Sequence, residues 1–343
     1  MIKSLQIALI GCGLIGTRRA KEASQHPRTC LAMVADVSFN RCAQLAERYE
    51  CRSVEGWKQV IEDTSIDAVI VSTPNGYTTE IALAALGMGK HVLVEKPPGR
   101  NLSEAKQMAD AARRAGRILK IGFNHRYHPA IHRAFDLVSK GAIGGVINMR
   151  ARYGHGGRPG YEKEWRGDPV LAGGGELTDQ GVHIADLVHW FGGLPASAFA
   201  LLQTAAWPIH PLEDNAFGLF HYANGVVASF HTSWTQWKNL FSLEIFGKSG
   251  SLSVEGLGGS YGTERLVIAI RNPKGGPPAM HEELFDGPDL SWKSEWADFV
   301  SAVTEGGAYW GTPEEGVAAM AMIDALYQSA RSGAVALLRG TED

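Results

Sequence analysis

Gly11-Cys12-Gly13-Leu14-Ile15-Gly16 is a G-x-G-x-x-G, and an acid, Asp36, stands 20 residues past its last glycine. These residue types at this spacing suit the pyrophosphate of a dinucleotide. Gly11 permits a tight turn, Gly13 lets backbone approach phosphate, and Gly16 lets the next helix pack close to a sheet. Leu14 and Ile15 fall in the same turn, where a helix start offers free N–H groups to an anion. Asp36 would accept hydrogen bonds from ribose hydroxyls and repel a 2′-phosphate, which favours NAD. Arg41, five positions on, is within reach of such a phosphate, so NADP stays a second option. A separate constellation lies mid-chain, where Asp179 and His183 are four apart and follow Gly173-Gly174-Gly175. A helix starting near Thr178 would present both from one face, and the glycines would bring backbone close to something just before it.

The elements that must carry these residues are legible as a pattern. Leu5 to Ile10 reads as a buried strand, Thr17 to Gln25 as a helix, and Cys30 to Ala35 as a strand ending at Asp36. Asp67 to Val71, His91 to Val94 and Leu119 to Gly122 read as further strands. Helices at Thr78 to Gly87 and from a Ser103 cap to about Ala115 separate them. Alternating apolar strands and helices predict a parallel sheet covered on both faces, with ligands beyond the carboxyl ends of the strands. Ser72-Thr73-Pro74-Asn75, Glu95-Lys96 and Asn124 all fall there, and Glu95 is read either as a brace for its loop or as a cofactor contact. Beyond them the pattern changes. Phe217 to Ala223 and Val226 to Thr232 flank Asn224-Gly225, which predicts a hairpin with a type I′ turn. Phe241 to Phe246 and Ser251 to Glu255 form a second hairpin candidate, and Val146 to Tyr153 and Leu266 to Ile270 add strands.

Composition removes several classes of function. With 33 Lys+Arg against 36 Asp+Glu and no basic run, the chain carries no electrostatic footprint for nucleic acid. No apolar run reaches the roughly 18–20 residues of a membrane span. Lys3, the apolar stretch to Gly11 and Cys12 imitate a short lipoprotein signal, but the same residues serve the strand and glycine turn. Cys12, Cys30, Cys42 and Cys51 share no C-x-x-C spacing, so a reducing cytoplasm is expected. His125, His128 and His132 are loosely spaced like helix neighbours, but Pro129 sits among them and no zinc pattern appears, so no metal is expected.

Gly-Lys-His-Val-Leu-Val-Glu-Lys-Pro (89–97), preceded by Ser-Thr-Pro-Asn (72–75), resembles the Gfo/Idh/MocA oxidoreductases, glucose-fructose oxidoreductase and inositol dehydrogenase among them. The similarity continues through Gly122-Phe123-Asn124-His125-Arg126-Tyr127, through 173–183 with Asp186-Leu187, and through Thr312-Pro313-Glu314-Glu315. One departure is Tyr77, where the family often places a His in the cofactor cleft. The resemblance implies an α/β Rossmann domain over 1–123. An α+β domain with a large, mostly antiparallel sheet would follow over 124–343, with the last helix packing back on the first. It further implies a homodimer or homotetramer.

Carried over by that resemblance, Lys96, Asp179 and His183 form the catalytic group. Oxidising a secondary alcohol moves a hydride from carbon to nicotinamide and a proton from oxygen to a base. His183 is the candidate base, since imidazole titrates near working pH. Lys96 would hydrogen-bond the substrate oxygen and Asp179 a neighbouring hydroxyl. The bland alternatives are a solvated strand-end lysine, a helix-capping aspartate and a core histidine. Tyr153, His155 and Arg158, then Trp165 and Arg166, give a Gly-rich loop the donors and aromatic faces that suit a sugar. Arg126, in the matched 122–127 segment, joins this substrate set. Arg158 or Arg166 could instead meet a carboxylate or phosphate. The reading is an NAD(P)-dependent oxidoreductase acting on a secondary alcohol of a sugar or polyol. A sugar-nucleotide or glycoside 3-dehydrogenase with tightly held NAD is the rival. A non-catalytic NAD(P)-binding regulator is a third, opposed by the joint retention of Lys96, Asp179 and His183.

Overall fold

A computed structural model describes residues 4–338. Lys3 and the outer limits of the two expected domains lie outside the described residues. The described residues divide into two compact units: those up to Phe123 with Val170–Gly173 and Trp292–Val317, and Asn124–Pro169 with Gly174–Ser291 and those from Ala318 onward.

The first unit holds β1 (Leu5–Ile10), β2 (Thr29–Ala35), β3 (Arg52–Val54), β4 (Ala68–Val71), β5 (His91–Glu95) and β6 (Leu119–Gly122). Between them run α1 (Leu14–Gln25), α2 (Phe39–Tyr49), α3 (Trp57–Glu62), α4 (Asn75–Gly87) and α5 (Leu102–Ala115). All strand pairings are parallel, in the order β3-β2-β1-β4-β5-β6. The order reverses between β1 and β4, and such a switch point opens a crevice at the strand ends. All four residues of β4 are buried, as a strand covered on both faces requires. Trp296, Phe299 and Val300 of the helix Ser291–Glu305 complete the core beside Ile7, Leu9, Ala20 and Leu31. α1 begins three residues earlier than the pattern suggests, because the glycine turn delivers the chain directly into helix. The cap of α5 is Asn101 rather than Ser103: its side chain accepts from the Glu104 N–H at 3.0 Å.

The second unit is built on β7 (Val146–Gly154), β8 (Ser197–Gln203), β9 (Asn215–His221), β10 (Val227–Ser233), β11 (Leu240–Gly247), β12 (Gly250–Glu255), β13 (Glu264–Ile270), β14 (Ala279–Phe285) and β15 (Ala336–Leu337). They form one sheet in the order β14-β13-β12-β11-β7-β10-β9-β8-β15. Every pairing is antiparallel except β7 with β10. β9 alternates strictly from Ala216 onward: Ala216, Gly218 and Phe220 face in, while Phe217, Leu219 and His221 face out. The β9–β10 turn is not type I′. Asn224 does not take a positive φ, whereas Gly225 does, at +86°, and the Gly225 N–H bonds Tyr222 O. A type I turn closed by a left-handed glycine accommodates the longer Ala223-Asn224-Gly225 connection. Helix Gly181–Gly192 is buried along Gly181–Val188. Among the described residues, no helix is long and apolar enough to cross a membrane.

The base of β5 carries a pH-sensitive group. His91 Nδ1 accepts the Ile118 N–H, and burial, reinforced by Arg117, lowers the imidazole to about 4. A folded-state value below the unfolded one of about 6.5 means that neutral His91 stabilises the fold above that pH. The contribution is lost as pH falls towards 4. Comparing wild type with His91→Gln in thermal unfolding from pH 7 to 4 should show a shallower acid loss in the variant. Parallel curves would remove His91 as the cause.

Candidate active site

The nucleotide end of the first unit is shaped by three glycines with different duties. Gly11 sits at φ +98°, and a Cβ there would strike the Ser72 carbonyl, where β1 and β4 pass side by side. A Cβ on Gly16 would strike the carbonyl of Gly11, so only glycine lets α1 start so close to the turn. Gly13 is different: no atom lies within 4 Å of where its Cβ would stand. It precedes α1 without a side-chain cap, leaving open space in front of the helix N-terminus. That is the cradle a pyrophosphate needs, and the residues present fit a dinucleotide.

Asp36 ends β2 with its carboxylate already ordered. Oδ2 accepts the Cys12 N–H at 2.6 Å, and Oδ1 accepts the Ser38 N–H at 2.7 Å and Arg41 at 3.0 Å. The acid is thus tied to the glycine turn, with a half-exposed guanidinium beside it. Leu14 is exposed at the start of α1, and Tyr77 is half-exposed in the first turn of α4. Pro74 precedes α4, and Thr73 Oγ1 lies 3.4 Å from Thr78 Oγ1. Asn75 is buried and its amide donates to Ala172 O at 2.8 Å, so it braces the unit from within. Glu95 is likewise a brace: Oε1 accepts Arg19 Nε at 2.6 Å, and Arg19, fully buried, also pairs with Glu295. Lys96 follows Glu95 directly at the end of β5.

In the second unit, Asp179 and His183 do not share one helix. A four-residue helix, Glu176–Asp179, ends at Gln180, and a new helix, Gly181–Gly192, carries His183. Glu213 and Tyr327 hold this junction. Glu213 O accepts the Glu176 N–H, and its Oε1 accepts the Leu177 N–H at 2.9 Å and the Tyr327 hydroxyl at 2.7 Å. The same hydroxyl lies 2.9 Å from Thr178 Oγ1. The glycine run answers to these neighbours. A Cβ on Gly174 would strike Tyr327 and Thr178, and one on Gly175 would strike Glu213. Burial pushes the Glu213 carboxyl up, against the hydrogen bonds that favour its charge.

Asp179 is not a helix cap; its Oδ2 accepts Arg166 Nε at 3.0 Å, and the Arg166 guanidinium stacks on Trp165 at 4.3 Å. Arg158 makes a two-pronged pair with Glu164, at 2.7 and 2.6 Å. Tyr161 packs edge-on to Trp234, with His155 on the same wall. Tyr153 is buried between His125, His183 and Tyr261. Burial first, then Tyr261 and the charges of Asp179 and Glu176, push its phenol far up, so it stays protonated. Arg126 is fully buried, with its guanidinium bidentate on Asp186 at 2.9 and 2.6 Å and over Trp190, a pair that braces the interior. Asn124 is also buried: it donates to Ser291 Oγ, and its Oδ1 lies 3.2 Å from His125 Nδ1. His125, Tyr261, Glu213 and Tyr327 were not anticipated. His125 lies inside the 122–127 segment, so a signal existed for it, whereas Tyr327 stands 152 residues from Gly175 and had none. Among the described residues no cluster of His, Cys, Asp or Glu could hold a metal ion.

A parallel sheet in this strand order, with a glycine cradle and an ordered acid at the end of β2, is the architecture of a dinucleotide-binding Rossmann domain. Residues 5–123 match the oxidoreductase family with an NAD-binding Rossmann fold, and 131–253 match the GFO/IDH/MocA C-terminal domain. The chain belongs to the Gfo/Idh/MocA family. It is 34% identical over 311 residues to 1,5-anhydro-D-fructose reductase of Ensifer adhaerens, covering 89% of this chain and 90% of that one. It is 28% identical over 353 residues to D-glucoside 3-dehydrogenase of Escherichia coli, covering 96% of each. Its fold matches levoglucosan dehydrogenase in complex with NADH and levoglucosan. The TM-score is 0.89 at 24% identity, covering 98% of this chain and 100% of that one.

Because a Cβ at Gly13 would meet no protein atom, Gly13→Ala should unfold like the wild type yet bind NADH ~10-fold or more weakly. Fluorescence titration beside a melting curve checks both. Unchanged affinity would move the pyrophosphate elsewhere.

Proposed function

We propose that the chain oxidises, or in reverse restores, a secondary alcohol of a neutral cyclic sugar. Lys96, Asp179 and His183 act together in this reading. The Gly11–Gly16 turn and Asp36 would hold the pyrophosphate and a ribose of NAD, whose nicotinamide would supply the hydride chemistry when bound. His183 takes the proton from the substrate hydroxyl, and Lys96 donates to that oxygen as negative charge develops. Asp179 binds a neighbouring hydroxyl in a geometry held by Arg166.

The observation that carries the neutral substrate is the pairing of both loop arginines with carboxylates of their own unit, Arg158 with Glu164 and Arg166 with Asp179. A phosphate would have to share those guanidinium donors with a carboxylate already in place, which gives that rival less support. The named relatives, a reductase of an anhydrofructose and a glucoside dehydrogenase, support the sugar class. NAD is the preferred cofactor and NADP the second. The free thiols Cys12, Cys30, Cys42 and Cys51 fit a reducing cytoplasm.

We also read the outward face of β8, β9 and β10 as a homodimer surface. Leu201, Phe217, Leu219 and Val227 are exposed there, and Phe217 stacks on His231 at 4.1 Å. The double variant Phe217→Asp/Leu219→Asp should run as a monomer in light scattering with an unchanged circular dichroism spectrum. A wild type that is already monomeric would overturn the dimer.

The catalytic reading is tested by following NADH absorbance with free sugars, anhydrosugars, glycosides and sugar nucleotides. Turnover should appear with a neutral cyclic sugar. His183→Ala and Lys96→Ala should each lower kcat by ~10² to 10⁴ while NADH affinity is kept. Wild-type turnover in either variant would remove that residue from the chemistry, and silence across the panel would favour a regulator.

A further inference from the structure

His183 has an imidazole neighbour that the reaction scheme above does not use. His125 and His183 stack face to face within the second unit, with centroids 3.8 Å apart and planes inclined by 27°. Both are 4% exposed. His125 is held in turn: its Nδ1 lies 3.2 Å from Asn124 Oδ1, and Asn124 donates to Ser291 Oγ at 3.1 Å. Tyr153 and Phe241 pack edge-on against the His125 ring, at 5.1 and 5.8 Å. Two imidazolium ions in this contact would be like charges at stacking distance in a site shielded from water. The pair therefore holds one proton in place of two, and its titration belongs to both rings.

We propose that His125 is a positioning residue for His183, fixing the plane of its ring and competing with it for a single proton. This rests on the reading of His183 as the base. In the scheme above Lys96 shares the substrate oxygen with His183. Within the second unit, Tyr153 of β7 lies edge-on to both rings, and Tyr261 of the turn Gly259–Tyr261 and Asp179 and Glu176 of helix Glu176–Asp179 act on its phenol. His128 stands 5.6 Å from His125 with Glu264 of β13 on its Nδ1. Arg126 and Asp186 form their own pair. The stack admits one proton and opposes a second. Below the midpoint the single proton divides between two rings. Molecules that carry it on His125 keep His183 free to act as base, so the acid side of the rate profile is shallow.

In the wild type, kcat/KM should fall less than about tenfold per pH unit on the acid side. His125→Phe keeps an aromatic ring in the stack but leaves only His183 to take the proton. Its acid limb should steepen to about tenfold per pH unit and shift to higher pH. Superimposable limbs would reduce His125 to packing and overturn the proposal. If His125→Phe does not fold, ¹⁵N NMR of the imidazoles in the NADH-bound wild type decides. A single joint transition of both rings is expected, and two independent transitions would sink the idea. Joint titration with turnover surviving in His183→Ala would uphold the coupled pair and overturn the base assignment instead.

Discussion

A carboxylate taken out of water must be satisfied on the spot, and Glu213 is satisfied by the segment that leads into Asp179 and His183. Its carbonyl and carboxylate take the N–H groups of Glu176 and Leu177, and Tyr327 closes the arrangement from the last helix. Burying an unpaired carboxylate costs several kcal/mol, so the helix Glu176–Asp179 has little freedom to move. The direction in which Asp179 leaves that helix, and the point where the next helix starts on the way to His183, follow from it. The close approach leaves no room for a Cβ at Gly174 or Gly175. These glycines serve the fold's own carboxylate and phenol.

Both units bury some of their charge in pairs. Arg19, buried in α1, joins Glu95 at the end of β5 to Glu295, and Trp292 lies over its guanidinium at 4.6 Å. Lys120 of β6 is buried on Asp298. A Cβ at Gly122 would come within 2.8 Å of Arg19 Nη2, so the strand next to β5 is shaped by this ion pair. Buried pairs of this kind add little net stability over apolar packing, but they punish misplacement strongly. At Glu95 that property falls next to Lys96. In the second unit, Arg126–Asp186 and His128–Glu264 hold the segment 124–128 in the same way, which fixes His125.

The polar loop 154–167 gains its character from pairing too. Taken singly, Arg158 and Arg166 are positive charges that suit a phosphate; paired with Glu164 and Asp179 they become ordered, nearly neutral hydrogen-bonding groups. They stand in one loop with Tyr161, Trp165 and His155.

The first unit was legible because its signals are local. The glycine turn, the acid at the end of β2 and the apolar strands each act within a few residues, and the parallel order follows from their alternation with helices. Capping and helix start differ slightly, as with Asn101 for Ser103, where neighbouring polar residues compete for the same N–H groups, while α2, the short β3, α3 and the helix Ser291–Glu305 have no expectation to match. The β9–β10 turn was misread because loop length, not the Asn-Gly pair, selects the turn type. The second unit's site was legible only in its residue types. Asp179 and His183 are four apart in sequence, but the break at Gln180 places them on two helices. Asn124, Arg126 and Glu95 give no local sign of their partners at Ser291, Asp186 and Arg19. The sequence by itself determined a dinucleotide-binding sheet and a set of oxidoreductase residues. Only the tertiary structure decided which polar side chains are consumed by buried pairing and which remain for chemistry, because their partners lie 60 to 167 residues away and no local pattern encodes them.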